Sequence, residues 1–122
     1  MIAGALCPCI LWYNAHMKHF IDYLKLKKPV TIRIIPRKNS DCDAEYEPEY
    51  SDRGKLCEHI ITVYTKNPTR DFETLIAHEL IHAWQEENKK TETHGPAFIK
   101  YARKIERDFA LQDVYISGID LE

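Results

Sequence analysis

Two histidines and a glutamate form the pattern His78-Glu79-x-x-His82 within a strongly helical run. Residues four apart on an α-helix lie about 40° apart around the axis and one turn apart along it, so both imidazoles can reach one small ion. Two nitrogen ligands, an open position for water and a carboxylate that accepts a proton are what a zinc hydrolase needs. The pattern therefore indicates a metal centre. The alternative is a solvated polar face with two incidental histidines.

The helix that carries this pattern is amphipathic. At about 100° per residue from Phe72, one half of its surface is apolar, and Leu75, Glu86 and the pattern residues fall on the other half. The apolar half consists of Ile76, Ala77, Leu80, Ile81, Ala83 and Trp84. We expect the apolar half to be buried, with Asn67-Pro68-Thr69 capping the start of the helix.

A third zinc ligand must come from another segment. Glu86 lies eight residues after His78, about 12 Å along the helix, which is too far to share one ion. A polar connection, residues 87–93, precedes His94, and Pro96 suits the first turn of a following helix. His94 would lie at the positive end of that helix, which favours a neutral imidazole. Glu92 is a second candidate, and a helix-capping role is the alternative for His94.

A family resemblance rests on two motifs, His78-Glu79-Leu80-Ile81-His82-Ala83 and His94-Gly95-Pro96-Ala97-Phe98. Together they resemble the SprT-like zinc metallopeptidases, which include the Spartan-type proteases, over residues from about 10 to 110. The resemblance implies one zinc ion on His78, His82 and His94, with Glu79 as the catalytic acid and base. Longer members add a zinc ribbon or DNA-binding segments. The sequence up to Glu122 has neither, so we expect the minimal protease core.

The order of elements predicts an α+β, minimal zincin-like fold in one domain, residues 1–122. A first helix should run from Pro8 to about Lys27, followed by three strands in a mostly antiparallel sheet. The strands are predicted at Val30 to Ile35, at Ala44 to Tyr50 as an edge that Pro48 interrupts, and at Leu56 to Thr65. The motif helix and a packed helix follow, and Val114 to Ile119 could add one strand.

Composition describes an ordinary globular protein. The 122 residues are 44% hydrophobic and 30% charged, with a net charge of −2, which argues against indiscriminate nucleic-acid binding. We expect a cytoplasmic monomer that has no membrane span or signal peptide. Four cysteines should therefore be thiols, although they could form a second zinc site: Cys7, Cys9, Cys42 and Cys57.

Other residues have more ordinary expected roles. We expect His16, His19 and His59 to be packing or surface residues, and Tyr64 and Tyr101 are candidates for stabilising an oxyanion. Acidic side chains between residues 41 and 52 should protect a sheet edge, or else form a rim that favours basic peptides. A basic stripe on the last helix should be solvated, with weak DNA contact as the alternative: Lys100, Arg103, Lys104 and Arg107.

The expected activity is hydrolysis of peptide bonds in a protein or peptide substrate by a zinc-activated water, with Glu79 as general base. One rival is a zinc-bearing module that binds nucleic acid or protein without hydrolysis. Another is a hydrolase of a different substrate, such as a cell-wall amide. Loss of cleavage in Glu79→Gln would distinguish the peptidase from the binding module.

Overall fold

The computed structural model describes residues 17–117 and 119–120. Helix α1 covers residues 17–24 of this part, and its predicted start at Pro8 lies outside the described residues, as do Cys7, Cys9 and His16. Three strands and two helices follow: β1 (Val30–Ile35), β2 (Ala44–Tyr50), β3 (Leu56–Tyr64), α2 (Phe72–Glu87) and α3 (Pro96–Phe109). The predicted α+β class is confirmed.

The sheet is mixed, whereas a mostly antiparallel sheet was predicted. Its strand order is β1-β3-β2. β2 pairs antiparallel with β3, with Ala44 opposite Val63, and β1 pairs parallel with β3, with Val30 opposite His59. A short turn joins β2 to β3 and requires these two strands to run in opposite directions. The chain between β1 and β3 includes the whole of β2, and a connection of that length permits either direction.

β3 is the central strand, and its residues 59–64 are all buried. β2 is an edge, as its alternating sequence with Pro48 predicted, because proline cannot donate a hydrogen bond to a second neighbour. Burial of β2 alternates accordingly, with Glu45, Glu47 and Glu49 exposed. The edge strand therefore presents one face to the protein and one acidic face to solvent.

Helix α2 packs against β2, β3 and α3. Its buried residues include Leu75, His78, Glu79 and Gln85, so the helix is covered on more than the predicted apolar half. Its N-cap is Asp71, which corrects the predicted cap at residues 67–69. The predicted cap failed because Thr69 is used elsewhere: its amide and hydroxyl both donate to Asp43.

The C-terminal segment has no strand in residues 110–117 or 119–120, so the predicted strand at Val114 to Ile119 was wrong. Val114 is fully buried in the core, and the segment is held by side chains instead of by a sheet. The amide of Val114 donates to Glu106, and the amide of Ile116 donates to Asp120. No helix in the described residues is long and apolar enough to cross a membrane.

Candidate metal centre

Three histidines converge between helices α2 and α3. His78 and His82 lie one turn apart on α2, and His94 immediately precedes Gly95, the N-cap of α3. One ligand nitrogen from each lies within 4.8 Å of the others. The side chain of Phe98, which is fully buried, contacts all three imidazoles, with ring centroids 4.7–4.8 Å apart. Phe98 therefore forms the apolar floor of the cluster.

The proton of His78 is fixed by the C-terminal segment. Its Nδ1 lies 2.7 Å from the carbonyl oxygen of Val114, which can only accept a hydrogen bond, so Nδ1 carries the proton. The lone pair is then on Nε2, facing His94. Burial lowers the pKa of His78 to about 3, so the imidazole is neutral near pH 7 and able to bind a metal.

His82 is fixed in the same way by Gln85. The Gln85 amide nitrogen donates to the carbonyl of Glu92 at 2.9 Å, which places its Oε1 opposite His82 Nδ1 at 2.9 Å. His82 therefore donates from Nδ1 and leaves Nε2 as its ligand atom. Burial lowers the pKa of His82 to about 4. Gln85 is itself buried, with only 4% of its surface exposed, and it was not identified from the sequence.

The turn that delivers His94 depends on glycine. The amide of Gly95 donates to the carbonyl of Glu92 at 3.0 Å, and a Cβ at position 95 would lie 2.6 Å from the Cβ of Glu92. Any other residue would force this turn apart. The carbonyl of Glu92 thus accepts hydrogen bonds from both Gln85 and Gly95, which ties the His94 turn to the helix of the other two histidines.

The donor set suits zinc. His78 Nε2 and His94 Nε2 lie 3.2 Å apart. Two nitrogens that bind one zinc ion at about 2.0–2.1 Å in tetrahedral geometry lie about 3.3–3.4 Å apart. Three imidazoles, two of them oriented through Nδ1 by hydrogen bonds to oxygen, are an arrangement typical of zinc sites with one open position.

Glu79 lies beside the histidines and has 7% of its surface exposed. No described residue hydrogen bonds its carboxylate, which lines the open cleft. Burial raises the pKa of Glu79 to about 8, against the opposing effect of Arg70. A nearby cation would lower it again. A buried carboxylate without a hydrogen bond is costly to the fold, which is typical of a functional group.

An ion pair lies behind the centre. Arg70 Nη2 is 2.6 Å from Asp120 Oδ1, and Asp120 Oδ2 is 4.0 Å from His78 Nδ1. Burial alone would raise the pKa of Asp120, but the hydrogen bonds from Arg70 and from the Ile116 amide lower it. The pair anchors the C-terminal segment whose Val114 carbonyl orients His78. Neither member was identified from the sequence, because their contacts join residues 50 apart.

The three histidines and Glu79 line a cleft of about 1390 Å³. One side of the cleft is formed by alternate residues of β2, namely Ala44, Tyr46, Pro48 and Tyr50. The acidic residues between these positions do not line it. The placement of Glu45, Glu47 and Glu49 therefore gives no support to the alternative of an acidic rim that favours basic peptides.

Several other predicted residues lie away from the centre. Tyr64 donates to Glu45, and Tyr101 packs on Trp84 with ring centroids 4.5 Å apart. Neither tyrosine lines the cleft, so their placement gives the oxyanion prediction no support. Glu86 and Glu92 are outside the set of converging ligands, in agreement with the choice of His94.

His59 is fully buried and belongs to a second polar chain. Its Nε2 donates to Glu87 at 2.7 Å, and its Nδ1 lies 2.8 Å from the hydroxyl of Tyr46. Tyr46 lines the cleft, with its ring centroid 6.5 Å from that of His82. The expectation that His59 packs in the sheet agrees with this placement. Burial raises the pKa of Tyr46, so its hydroxyl keeps its proton.

Residues 55–117 match the family model described as the SprT-like family. The chain belongs to the SprT-like family. The matched region contains β3, α2, α3 and all three histidines. Comparison with curated proteins found no match, and comparison with solved structures found none either.

SprT-like domains are generally associated with metallopeptidases and with zinc. In this SprT-like chain the family match begins at Lys55 and so excludes β1 and β2. The three converging histidines therefore lie within the matched region, and the edge strand that borders the cleft lies before it.

Proposed function

We propose that this chain is a zinc-dependent endopeptidase. The observation that carries the proposal is the convergence of three imidazoles beside the Glu79 carboxylate, which accepts no hydrogen bond from any described residue. Hydrogen bonds at Nδ1 leave Nε2 of His78 and Nε2 of His82 available to bind the ion. His78, His82 and His94 would hold the ion. When bound, zinc supplies a Lewis acid that makes water nucleophilic near neutral pH and shares the charge of an oxyanion.

Glu79 moves the protons in this mechanism. Its carboxylate accepts a proton from the attacking water and then donates that proton to the leaving amine, so the carboxylate is regenerated. Phe98 and the buried face of α2 exclude bulk water from one side of the site, which strengthens the electrostatic interactions within it. The open side of the cleft admits the substrate.

Edge strand β2 offers a way to hold an extended polypeptide. Only β3 pairs with β2 among the described strands, so the other edge of β2 is available for an added strand. Pro48 lacks one donor there, so side-chain contacts with Tyr46 and Tyr50 would contribute to binding. A wide cleft of this kind suits unfolded protein segments better than compact domains.

The test is the Glu79→Gln variant assayed against an unfolded protein. We expect it to retain one zinc per chain, because the ligands are unchanged, and to lose activity by a factor of about 10² to 10⁴. Glu73→Gln, on the same helix but away from the centre, is the control and should retain activity. Cleavage must also disappear when zinc is removed with a chelator.

Two outcomes would contradict the proposal. Undiminished cleavage by Glu79→Gln would remove Glu79 from its role. Stoichiometric zinc and tight binding of single-stranded DNA, without cleavage of any protein, would instead favour the zinc-bearing binding module.

A further inference from the structure

Lysines are concentrated at the end of the cleft beyond His82. Five of them line it, together with the exposed ring of Tyr50. We call this group the lysine rim: Lys27, Lys28, Lys55, Lys89 and Lys90.

The rim is assembled from three separate segments. The carboxylate of Glu87, at the end of α2, accepts hydrogen bonds from the backbone amides of Lys27 and Lys28 at 2.9–3.0 Å. Lys89 and Lys90 follow the end of the same helix, and Lys55 precedes β3. The negative end of a helix dipole explains why lysines are favoured at positions 89 and 90, but it does not explain the other three.

All five lysine side chains are exposed, and none has a carboxylate within 4.0 Å among the described residues. The acidic residues of this helix end that line the cleft are Glu86 and Glu87, and Glu87 is already bound to His59 and two amides. The rim therefore carries an unneutralised positive charge. Its ammonium groups are available to an anionic ligand that enters the cleft.

The distance between the lysine rim and His82 determines which residue of a bound peptide would reach the lysines. Lys89 and Lys90 lie seven and eight residues beyond His82, just after α2 ends at Glu87, so the rise from His82 is roughly 10 Å. An extended peptide covers that distance in about three residues. A substrate held along β2 with its scissile bond near His82 would place its third residue from that bond among the lysines.

We infer that the lysine rim binds acidic side chains of a polypeptide substrate about three residues from the scissile bond. The inference rests on the proposed peptidase function and names the substrate class of the same site. Tyr50, which has 51% of its surface exposed, provides an apolar surface for the intervening residue.

The charge distribution along the cleft favours a peptide over a nucleic acid. At the opposite end Asp41, Asp43 and Asp120 outnumber Lys38 and Arg70. Asp120 is moreover paired with Arg70. A nucleic-acid strand carries a negative charge on every nucleotide and would be repelled where it crosses that end. A polypeptide can carry acidic residues on one side of the scissile bond only.

The first experiment measures binding and does not require cleavage. Two fluorescent peptides share an apolar centre, one with three consecutive Asp or Glu residues on one side and the other with Ser and Gln in their place. Each is made with the variable segment at either end. We expect the zinc-loaded protein to bind one acidic peptide about tenfold more tightly than its neutral partner at low salt, and we expect 0.5 M salt to remove most of the difference.

Charge reversal assigns the effect to the rim. Lys89→Glu/Lys90→Glu should abolish the preference for the acidic peptide, and Lys27→Glu/Lys28→Glu provides an independent second variant. The matched control is Lys66→Glu/Lys100→Glu, which changes the net charge equally at two exposed lysines outside the cleft and should keep the preference. A preference that survives both rim variants would overturn the inference.

The second experiment compares kcat/KM for cleavage of the same peptides. We expect the acidic peptide to be favoured mainly through a lower KM, and we expect this advantage to disappear in the rim variants. If no peptide is cleaved but rim-dependent binding persists, the peptidase proposal fails and the binding surface remains. If a single-stranded oligonucleotide binds more tightly than the acidic peptide and with the same lysine dependence, the peptide inference fails.

Discussion

At the scale of single residues, two of the imidazoles are oriented by atoms outside the motif. Gln85 is the most consequential of these residues. It orients His82 through Oε1 and holds the turn before His94 through its amide nitrogen. One side chain therefore couples two of the three ligands, so its removal should affect both the protonation pattern of His82 and the position of His94.

Replacing Gln85 by leucine should weaken zinc binding about 10- to 100-fold, because residues behind the ligands contribute on that scale. The measurement is competition with a chromophoric chelator. Gln85→Glu is the informative control, since it keeps an acceptor for His82 but loses the donor to Glu92, so a smaller loss is expected. Equal affinity in the leucine variant and the parent protein would show that Gln85 has only a packing role.

Glu79 should lower the stability of the zinc-free protein at high pH. Its folded-state pKa of about 8 is above the ordinary value of 4.5, so the folded state binds the extra proton. The stabilising contribution of the protonated Glu79 is therefore fully present below about pH 4.5, and it is lost as the pH rises through 8. Glu79→Gln does not titrate. We expect it to be a few kcal/mol more stable than the parent protein at pH 8.5 and similar to it at pH 4.5.

Urea unfolding in the presence of a chelator, at both pH values, measures this difference. A stability gap of the same size at pH 4.5 and 8.5 would contradict the assignment.

The sequence predicts the three converging histidines better than it predicts the residues that orient them. His78, His82 and His94 could be chosen from residue type, helical spacing and the following Gly-Pro. Gln85 could not, because its partners are a neighbouring side chain and a loop carbonyl that only the folded chain brings together. The same reason applies to Val114, whose contribution to the site is a backbone oxygen.

At the scale of elements, the end of α2 is fastened to the start of the sheet by Glu87. Its carboxylate accepts from His59 and from the amides of Lys27 and Lys28. Burial alone would raise the pKa of Glu87, but these hydrogen bonds outweigh it and lower the pKa. The contact therefore connects α1, β3 and α2 beneath the cleft.

Glu87→Ala should destabilise the fold by about 2 kcal/mol at pH 7, because it leaves the buried His59 without its acceptor. The folded-state pKa of Glu87 is lowered. Its contribution to the free energy of unfolding is therefore fully present when the pH is above the ordinary pKa of glutamate, and it is lost as the pH falls through the folded-state pKa. Chemical unfolding at pH 7 and at pH 3 measures it. The neighbouring Glu86→Ala is the matched control, and an equal effect of both variants would contradict the role of Glu87.

Element boundaries follow from the sequence where local pattern decides them. Strands β1 and β2 begin and end as predicted, and β3 differs by one residue. The direction of strand pairing does not follow from the sequence. The alternation of residues in β1 is the same whether its neighbouring strand is parallel or antiparallel. The burial of α2 on more than one side was likewise missed, since it depends on how α3 and the C-terminal segment fold over the polar stripe.

At the scale of the whole molecule, the C-terminal segment covers the histidine cluster from behind. Val114 contributes both a buried side chain and the carbonyl that accepts from His78. Arg70 holds the same segment through the carbonyl of Asp113 and the carboxylate of Asp120. The centre is thus completed by residues that lie after the last helix.

Deletion of residues 112–122 should weaken zinc binding about 10- to 100-fold, because His78 loses the acceptor that fixes its proton. Isothermal titration with zinc measures the effect. Val114→Ala distinguishes loss of the carbonyl from loss of side-chain packing. This variant keeps the carbonyl, so it should lose stability with little change in zinc affinity. Full zinc affinity in the truncated chain would show that water replaces the Val114 carbonyl without loss.

The burial of α2 means that its residues tolerate substitution less well than the exposed residues around the cleft. Its residues from Thr74 to Ile81 are buried without interruption, so nearly any replacement there disturbs either the core or the histidine cluster. The exposed lysines of the lysine rim can be replaced without disturbing the core. A change of a few surface charges could therefore alter which ligands enter the cleft while helix α2 and its histidines stay the same.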